Sequence, residues 1–169
     1  AMGTREWSSC SGLPGYRVLE KEKDRQLVAD FWGIDPGFFP AARGLAQTDI
    51  FPAIETGEVK GLWLVATNPM TSMANQPRVV KAMENLEFLV VQDMYHTTES
   101  AQVADLVLPA AGWGEKDGCF INSERRIGLI KKVARAPGAA LADFSIFRLV
   151  AESWGCGEMF RSWTHPEAV

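Results

Sequence analysis

The chain has 169 residues, of which 47% are hydrophobic and 22% are charged. These proportions are typical of a soluble globular protein and allow one domain with a sizeable core. The formal net charge of −4 argues against a nucleic-acid or anionic-membrane partner, because both select for clustered Lys and Arg. No stretch is apolar for long enough to span a bilayer.

The three cysteines, Cys10, Cys119 and Cys156, lie far apart and form no C-x-x-C pair. Their number and spacing fit neither a complete disulfide framework nor a zinc or iron–sulfur site. We interpret Cys119 and Cys156 as small packing residues and expect a reducing, cytoplasmic compartment. His96 and His165 have no neighbours at metal-ligand spacing, so we interpret both as surface or structural histidines.

The first part of the chain predicts an irregular start followed by two helices. We expect residues 1–16 to be a loop or an expression-scar start. Glu20 to Phe31 carries apolar residues at helical spacing, which predicts a short amphipathic helix. A second helix can be capped by Thr48 or Asp49 and should end before Gly57.

Three short apolar runs, Leu62–Ala66, Leu86–Val91 and Ala104–Leu108, form the centre of the sequence. Continuous runs, rather than alternating ones, are typical of strands buried on both faces of a parallel sheet. Between the first two, Pro77 precedes apolar residues at helical spacing in Arg78–Glu84. The pattern predicts a right-handed βαβ unit and hence an α/β fold.

The remainder predicts a helical turn near Thr98 and a long helix over 144–152. Cys119–Asn122 and Arg126–Ile130 either pair as a hairpin or form two extended segments. We expect residues 17–153 to form the domain and 154–169 to form a tail.

Polar side chains follow the first two predicted strands, where Thr67 and Asn68 end one strand and Gln92 and Asp93 end the next. In open parallel sheets, ligands bind outside the carboxyl ends of the strands. The sequence therefore predicts a site at this edge.

Each candidate residue has a structural alternative. Asn68 is either a turn residue or a ligand contact. Asp93 suits a ribose diol or the N–H edge of guanine, and otherwise caps the following segment. Lys116 is a candidate for a phosphate or a polar ring edge, although a solvated loop lysine is the commoner case. Asp143 is most simply the N-cap of the last helix.

The usual nucleotide and hydrolase signatures are missing: there is no G-x-G-x-x-G, no P-loop and no G-x-S-x-G. A different set of motifs occurs in order: Thr67–Pro69, Val90–Asp93, Ala104–Pro109, Trp113–Gly118, Asn122–Arg126, Pro137–Gly138 and Asp143. This ordered set closely resembles the molybdopterin oxidoreductases, especially assimilatory nitrate reductase, with formate dehydrogenase next.

The resemblance implies a Rossmann-like three-layer α/β domain, with a mostly parallel sheet and helices on both faces. It would bind the guanosine end of a molybdopterin guanine dinucleotide. The cofactor contacts that the resemblance implies are Asn68, Gln92, Asp93, Thr97, Lys116 and Asp143. A carboxylate at Asp93 facing the two N–H groups of guanine would exclude adenine, which presents an acceptor there.

Complete members of the family are several times longer, and they hold the iron–sulfur cluster and the molybdenum ligand elsewhere in their chains. We therefore expect this chain to be a domain of a larger enzyme, inactive alone, whose partners are the remaining domains and the cofactor. One alternative is a non-enzymatic interaction module that keeps the fold without the ligand, with Trp7, Phe38, Phe39 and Trp163 as candidate surface residues. An unrelated nucleotide-binding α/β enzyme is a further alternative.

Overall fold

The structure is a computed structural model that describes residues 2–7 and 12–168. The α-helices within this range are α1 (Met2–Glu6), α2 (Glu22–Trp32), α3 (Gln47–Glu55), α4 (Pro69–Ser72), α5 (Gln76–Glu84), α6 (Glu99–Gln102) and α7 (Asp143–Ser153). The strands are β1 (Gly61–Val65), β2 (Phe88–Asp93), β3 (Leu106–Pro109), β4 (Gly118–Ile121) and β5 (Ile127–Ile130). Short 3-10 turns lie at Pro14–Tyr16, Pro36–Phe38, Trp113–Glu115, Gly157–Phe160 and Pro166–Ala168.

The chain divides into two compact units. The first unit comprises Ala1–Ala46 and Phe120–Gly128, and the second comprises Gln47–Cys119 and Leu129–Val169. This division does not coincide with boundaries at residues 16 and 153, which stay a prediction about the domain.

The second unit contains a parallel sheet in the order β1-β2-β3. Val65 lies opposite Gln92, and Asp93 lies opposite Pro109. The carboxyl ends of all three strands therefore meet at one edge, which we call the carboxyl rim. The predicted parallel α/β sheet is confirmed.

Two of these strands begin later than the apolar runs predict. Leu86 still belongs to the turn after α5, because its N–H donates to the Met83 carbonyl. The Asp105 carboxylate accepts the Leu89 N–H at 2.7 Å, so a side chain closes this end of the β2–β3 ladder.

Helices cover both faces of the sheet, as predicted. Successive residues of a strand point to opposite faces. Leu64 of β1 belongs to the main apolar core, whereas the ring of its neighbour Trp63 lies 5.1 Å from that of Phe147 on α7. The buried members of the core are Phe51, Ile54, Leu64, Met70, Val79, Ala82, Met83, Leu89, Val91 and Ala101.

The crossover helix α5 has the sequence features expected of it. Pro77 lies in its first turn, where its missing N–H costs no helical hydrogen bond. Val79 and Met83, four residues apart, are both buried against the sheet. Arg78 faces outward and forms a two-pronged ion pair with Glu55 of α3, at 2.8 and 2.6 Å.

Three local predictions need correction. A short helix, α1, occupies Met2–Glu6 where a loop was expected, while Ser8–Ser11 lie outside the described residues. Thr48 and Asp49 do not cap α3, because the helix already begins at Gln47. Cys119 is exposed rather than a packing residue.

The first unit has its own small core of Leu13, Leu19 and Val28, against which Phe39 packs. Cys119–Asn122 and Arg126–Ile130 do contain paired strands, since β4 and β5 form a two-stranded sheet. A Cβ at Gly128 would lie 2.4 Å from the Phe120 ring, so a larger residue there would displace this exposed ring.

The sheet core generates a stability prediction. Leu89 is only 2% exposed, so Leu89→Ala should lower the free energy of unfolding by about 2–5 kcal/mol. Leu106→Ala on β3 is the matched control, because Leu106 is 44% exposed and should cost much less. Urea unfolding measures both; equal losses would contradict the assigned core.

Candidate functional site

Asn68 links the end of β1 to helix α6. Its Nδ2 donates to Glu99 at 2.6 Å, and its Oδ1 accepts the Ser100 hydroxyl at 2.7 Å. Ser100 is fully buried, so this contact satisfies a hydroxyl that water cannot reach. The Asn68 side chain is therefore not a simple turn residue, since it connects two rim segments 32 positions apart.

Asp93 ends the central strand and is half-buried at the rim. Its Oδ1 accepts the Tyr95 N–H at 3.1 Å, which forms a local turn. It does not cap the following helix, because α6 begins only at Glu99. Oδ2 has no hydrogen-bond partner within residues 2–7 and 12–168, which leaves one carboxylate oxygen for a ligand.

Gln92, Lys116 and Asp143 converge although they are distant in sequence. The Gln92 Nε2 donates to Asp143 Oδ1 at 2.7 Å, and the Lys116 ammonium pairs with Asp143 Oδ2. Asp143 thus binds one donor through each oxygen. It is the first residue of α7 rather than its N-cap, a position that Ala142 occupies.

The loop that carries Lys116 is held by the residues around it. Glu115 accepts the Gly112 N–H at 2.7 Å, and Asp117 accepts the Lys132 N–H at 2.9 Å. The neighbouring Gly114 carbonyl accepts the N–H of Val133 at 2.8 Å. The polar residues beside Lys116 therefore fix the loop. The Lys116 ammonium is directed at Asp143.

Asp143 is brought to the rim by a short extension of the sheet. Leu141 pairs with Ala110 in a parallel bridge just beyond β3. Its N–H donates to the Pro109 carbonyl at 3.1 Å, and its carbonyl accepts the Ala111 N–H at 2.8 Å. Because α7 starts two residues later, its first side chain lies beside the strand ends.

Two carboxyl groups at the rim have shifted pKa values. Burial raises the pKa of Asp143, but hydrogen bonds from Lys116 and Gln92 outweigh burial and hold it below its usual range. Hydrogen bonds from its own backbone N–H and from Asn68 lower the pKa of Glu99. Both groups are therefore anions at neutral pH.

Thr97 is exposed in the segment between β2 and α6, and its carbonyl accepts a weak hydrogen bond from Gln102 at 3.4 Å. Glu99 and Ser100 were missed by the sequence analysis. Their roles depend on a contact with Asn68 that no local pattern reveals.

At the rim, Asp93 offers an acceptor that a polar ring could use, and Lys116 offers a cation that an anion could use. No group of three or more His, Cys, Asp or Glu side chains able to hold a metal ion occurs in the described ranges. None of the helices there is both long and apolar enough to cross a membrane.

Comparison with known proteins identifies the family. The model of the molybdopterin oxidoreductases matches residues 23–153. The chain belongs to the molybdopterin oxidoreductase family. The resemblance seen in the sequence motifs is thereby confirmed.

The relatives of this molybdopterin oxidoreductase chain include nitrate reductases and formate dehydrogenases. A nitrate reductase of Synechocystis sp. is 42% identical over 161 residues, which cover 95% of this chain and 22% of the relative. An F420-dependent formate dehydrogenase 2 subunit alpha of Methanococcus maripaludis is 52% identical over 147 residues, covering 86% and 21%. The chain therefore spans about a fifth of the length of these relatives.

The fold of this chain is similar to that of a solved structure. Acetylene hydratase from Pelobacter acetylenicus matches 98% of this chain and 22% of its own, with a TM-score of 0.64 and 25% sequence identity.

The Lys116–Asp143 pair generates a pH prediction. Because the pKa of Asp143 is lower in the folded chain, the stability it contributes is present above the unfolded pKa and is lost as pH falls below about 4. In Lys116→Met, the effect of burial on Asp143 is opposed chiefly by the hydrogen bond from the Gln92 amide, so the pKa of Asp143 in the folded chain rises. The loss of stability on acidification is therefore smaller in this variant. Urea unfolding between pH 7 and pH 2 measures the difference. Lys131→Met, which breaks an exposed pair with Glu167, should keep the wild-type slope.

The Asn68–Ser100 contact generates a second prediction. Asn68→Leu should destabilise the fold by about 1–3 kcal/mol, because the buried Ser100 hydroxyl loses its acceptor. In a Ser100→Ala background the same substitution should cost less, since no buried hydroxyl remains to be satisfied. Additive losses in this double-mutant cycle would show that the two side chains do not interact.

Proposed function

We propose that the carboxyl rim holds the guanosine end of a molybdopterin guanine dinucleotide within a larger molybdenum oxidoreductase. The observation that carries this proposal is the Asp93 carboxylate. It ends the central strand of a parallel sheet, is half-buried, and keeps Oδ2 unbonded within the described part of the chain. Ligands bind at this position in open α/β sheets.

Guanine fits this carboxylate better than adenine does. Guanine presents two neighbouring N–H donors, from its ring N1 and its amino group. The Asp93 carboxylate can accept both, because Oδ1 keeps a second lone pair beside its contact with the Tyr95 N–H. Adenine presents a ring acceptor in place of the N1 donor, so its lone pair would face a negative oxygen. A half-buried site makes that mismatch costly, because water cannot fully compensate for the lost hydrogen bond.

The other rim residues fit the cofactor to different degrees. The Lys116 side chain keeps 28% exposure and supplies positive charge for a phosphate group. Thr97 is exposed, and its hydroxyl can donate to the cofactor. Asn68 has one amide hydrogen beyond the bond to Glu99. Asp143 contributes mainly by holding Lys116.

Redox chemistry in this proposal belongs to the molybdenum carried by the bound cofactor. The chain's own residues bind and orient the nucleotide end, so that the distant metal is fixed in place. The chain should not catalyse by itself, since it covers about a fifth of the length of its relatives. Its partners would then be the remaining domains of the parent enzyme. We place that enzyme in the cytoplasm because the cysteine spacing suits a reducing compartment.

We propose nitrate reduction as the parent activity, on the 95% coverage of this chain by the Synechocystis nitrate reductase. Formate oxidation is the second candidate, favoured by the 52% identity to a formate dehydrogenase subunit. Assays of the parent enzyme with nitrate and with formate distinguish the two activities.

A non-enzymatic interaction module is the alternative without a ligand. Two of the four aromatic residues considered for it are exposed in the first unit, Trp7 at 67% and Phe38 at 77%. Phe39 instead packs against Trp32 with ring centroids 5.8 Å apart. Trp163 contacts Phe160 edge-on, so it too has a local partner.

Nucleotide binding tests the proposal. The full chain should bind guanosine diphosphate saturably and bind adenosine diphosphate at least tenfold more weakly, because a lost charged hydrogen bond costs about 1.5–3 kcal/mol. Asp93→Ala should abolish the preference. Asp93→Asn should shift it toward xanthosine diphosphate, whose ring oxygen accepts from the new amide. Titration calorimetry with the three nucleotides measures the affinities of the wild-type chain and of both variants.

Asp49→Asn is the matched control, because it makes the same chemical change on α3, away from the strand ends. It should leave the guanine preference unchanged. Indifference of the wild-type chain to millimolar guanine nucleotide, together with self-association, would favour the interaction module instead.

A further inference from the structure

Gln92 is fully buried at the end of the central strand, with no measurable exposed surface. The next residue, Asp93, is half-buried at the same rim. The two side chains point to opposite faces of the sheet because they are neighbours in a strand. A ligand group that contacts the Asp93 carboxylate therefore does not meet the Gln92 amide on the same face of the sheet.

The orientation of the Gln92 amide follows from its partner. Its Nε2 lies 2.7 Å from Asp143 Oδ1. If the amide were turned over, its oxygen would face a carboxylate oxygen in a buried place, and two acceptors would repel each other. The donor must therefore face Asp143, which fixes the direction of the amide.

The amide oxygen of Gln92 is buried and has no hydrogen-bond partner within the described residues. Leaving a buried acceptor unsatisfied is unfavourable, whereas an apolar side chain of the same shape would avoid that cost. The stability of the core therefore gives no reason for an amide at position 92. The hydrogen bond from the Gln92 amide to Asp143 gives that reason.

Asp143 transmits the constraint to Lys116. One carboxylate oxygen accepts from Gln92, and the other pairs with the Lys116 ammonium. With one oxygen held from the strand end, the carboxylate cannot rotate freely, so the direction of the ion pair is fixed. The Lys116 ammonium is consequently held at the rim rather than moving with the side-chain rotamers of a loop lysine.

We propose that Gln92 is a positioning residue: it fixes Asp143, and through Asp143 the Lys116 ammonium, for the nucleotide site. This inference rests on the proposed function, but it gives Gln92 a different role from the direct cofactor contact that the family resemblance implies. The chemical group served by this arrangement is the phosphate of the nucleotide, which Lys116 would meet.

The test uses Gln92→Met and Gln92→Leu in the full chain, each of which removes the amide donor but keeps an apolar side chain of similar size. The matched control is Gln26→Met. Gln26 also donates to a carboxylate at 2.7 Å, that of Asp30, but it does so on the exposed surface of α2. Folding is checked by circular dichroism, and the pKa of Asp143 is followed by carboxyl carbon NMR.

The first readout does not depend on nucleotide binding. Loss of the Gln92 donor should raise the pKa of Asp143 in both Gln92 variants, whereas Gln26→Met should leave it unchanged. An unchanged Asp143 pKa in a folded Gln92 variant would overturn the inference.

The second readout separates positioning from direct contact. Affinity for guanosine diphosphate should fall about tenfold in the Gln92 variants, and this loss should disappear in an Asp143→Ala background. A loss that persists without Asp143 would show direct contact and overturn the inference. If the wild-type chain binds no guanosine diphosphate, the proposed function fails, and the Asp143 pKa alone decides whether Gln92 fixes Asp143.

Discussion

Every residue of the proposed site depends on the parallel pairing of β2 with both of its neighbours. Parallel strands share one direction, so the segments that leave β1, β2 and β3 emerge at the same edge. That edge collects side chains from segments as far apart in the chain as Asn68 and Asp143. A shift of the β2 register by one residue would exchange the buried Gln92 and the half-exposed Asp93 between the two faces.

Polar contacts beyond the sheet form two groups of side chains at the rim. Asn68, Ser100 and Glu99 join the first crossover to α6, while Gln92, Asp143 and Lys116 join the strand end to α7 and a loop. Asp93 belongs to neither group and keeps an oxygen without a protein partner in the described part of the chain. Asp93 is thus a candidate for direct ligand contact, whereas most of its neighbours hold one another.

The sequence predicted the scaffold well because the scaffold follows local rules. Continuous apolar runs, together with Pro77 at the first turn of a helix, identify a βαβ unit without knowledge of distant contacts. The starts of β2 and β3 were predicted too early in the chain, because a turn residue such as Leu86 can be as apolar as a strand residue. The sequence offered Lys116 as a candidate and Asp143 as a helix cap, and only the family motifs favoured both as cofactor contacts.

The parts that the sequence did not predict depend on tertiary contacts. Ser100 has no unusual neighbours in the sequence, and its value comes only from an acceptor 32 positions away. Gln92 and Asp93 look equivalent as a polar pair ending a strand, yet one is fully buried and the other is not. The helices that cover the two faces of the sheet decide which of two adjacent polar residues is buried. The residues of the strand itself do not reveal where those helices lie.

The first unit is assembled from segments at both ends of a long excursion of the chain, since 1–46 are grouped with 120–128. On the ribosome, the amino-terminal segment emerges first and must wait while more than seventy further residues are synthesised before its other part exists. No single cut in the polypeptide can therefore release either unit whole. A protein engineer who wishes to study the parallel sheet alone would have to close the gap at the hairpin with a new connection.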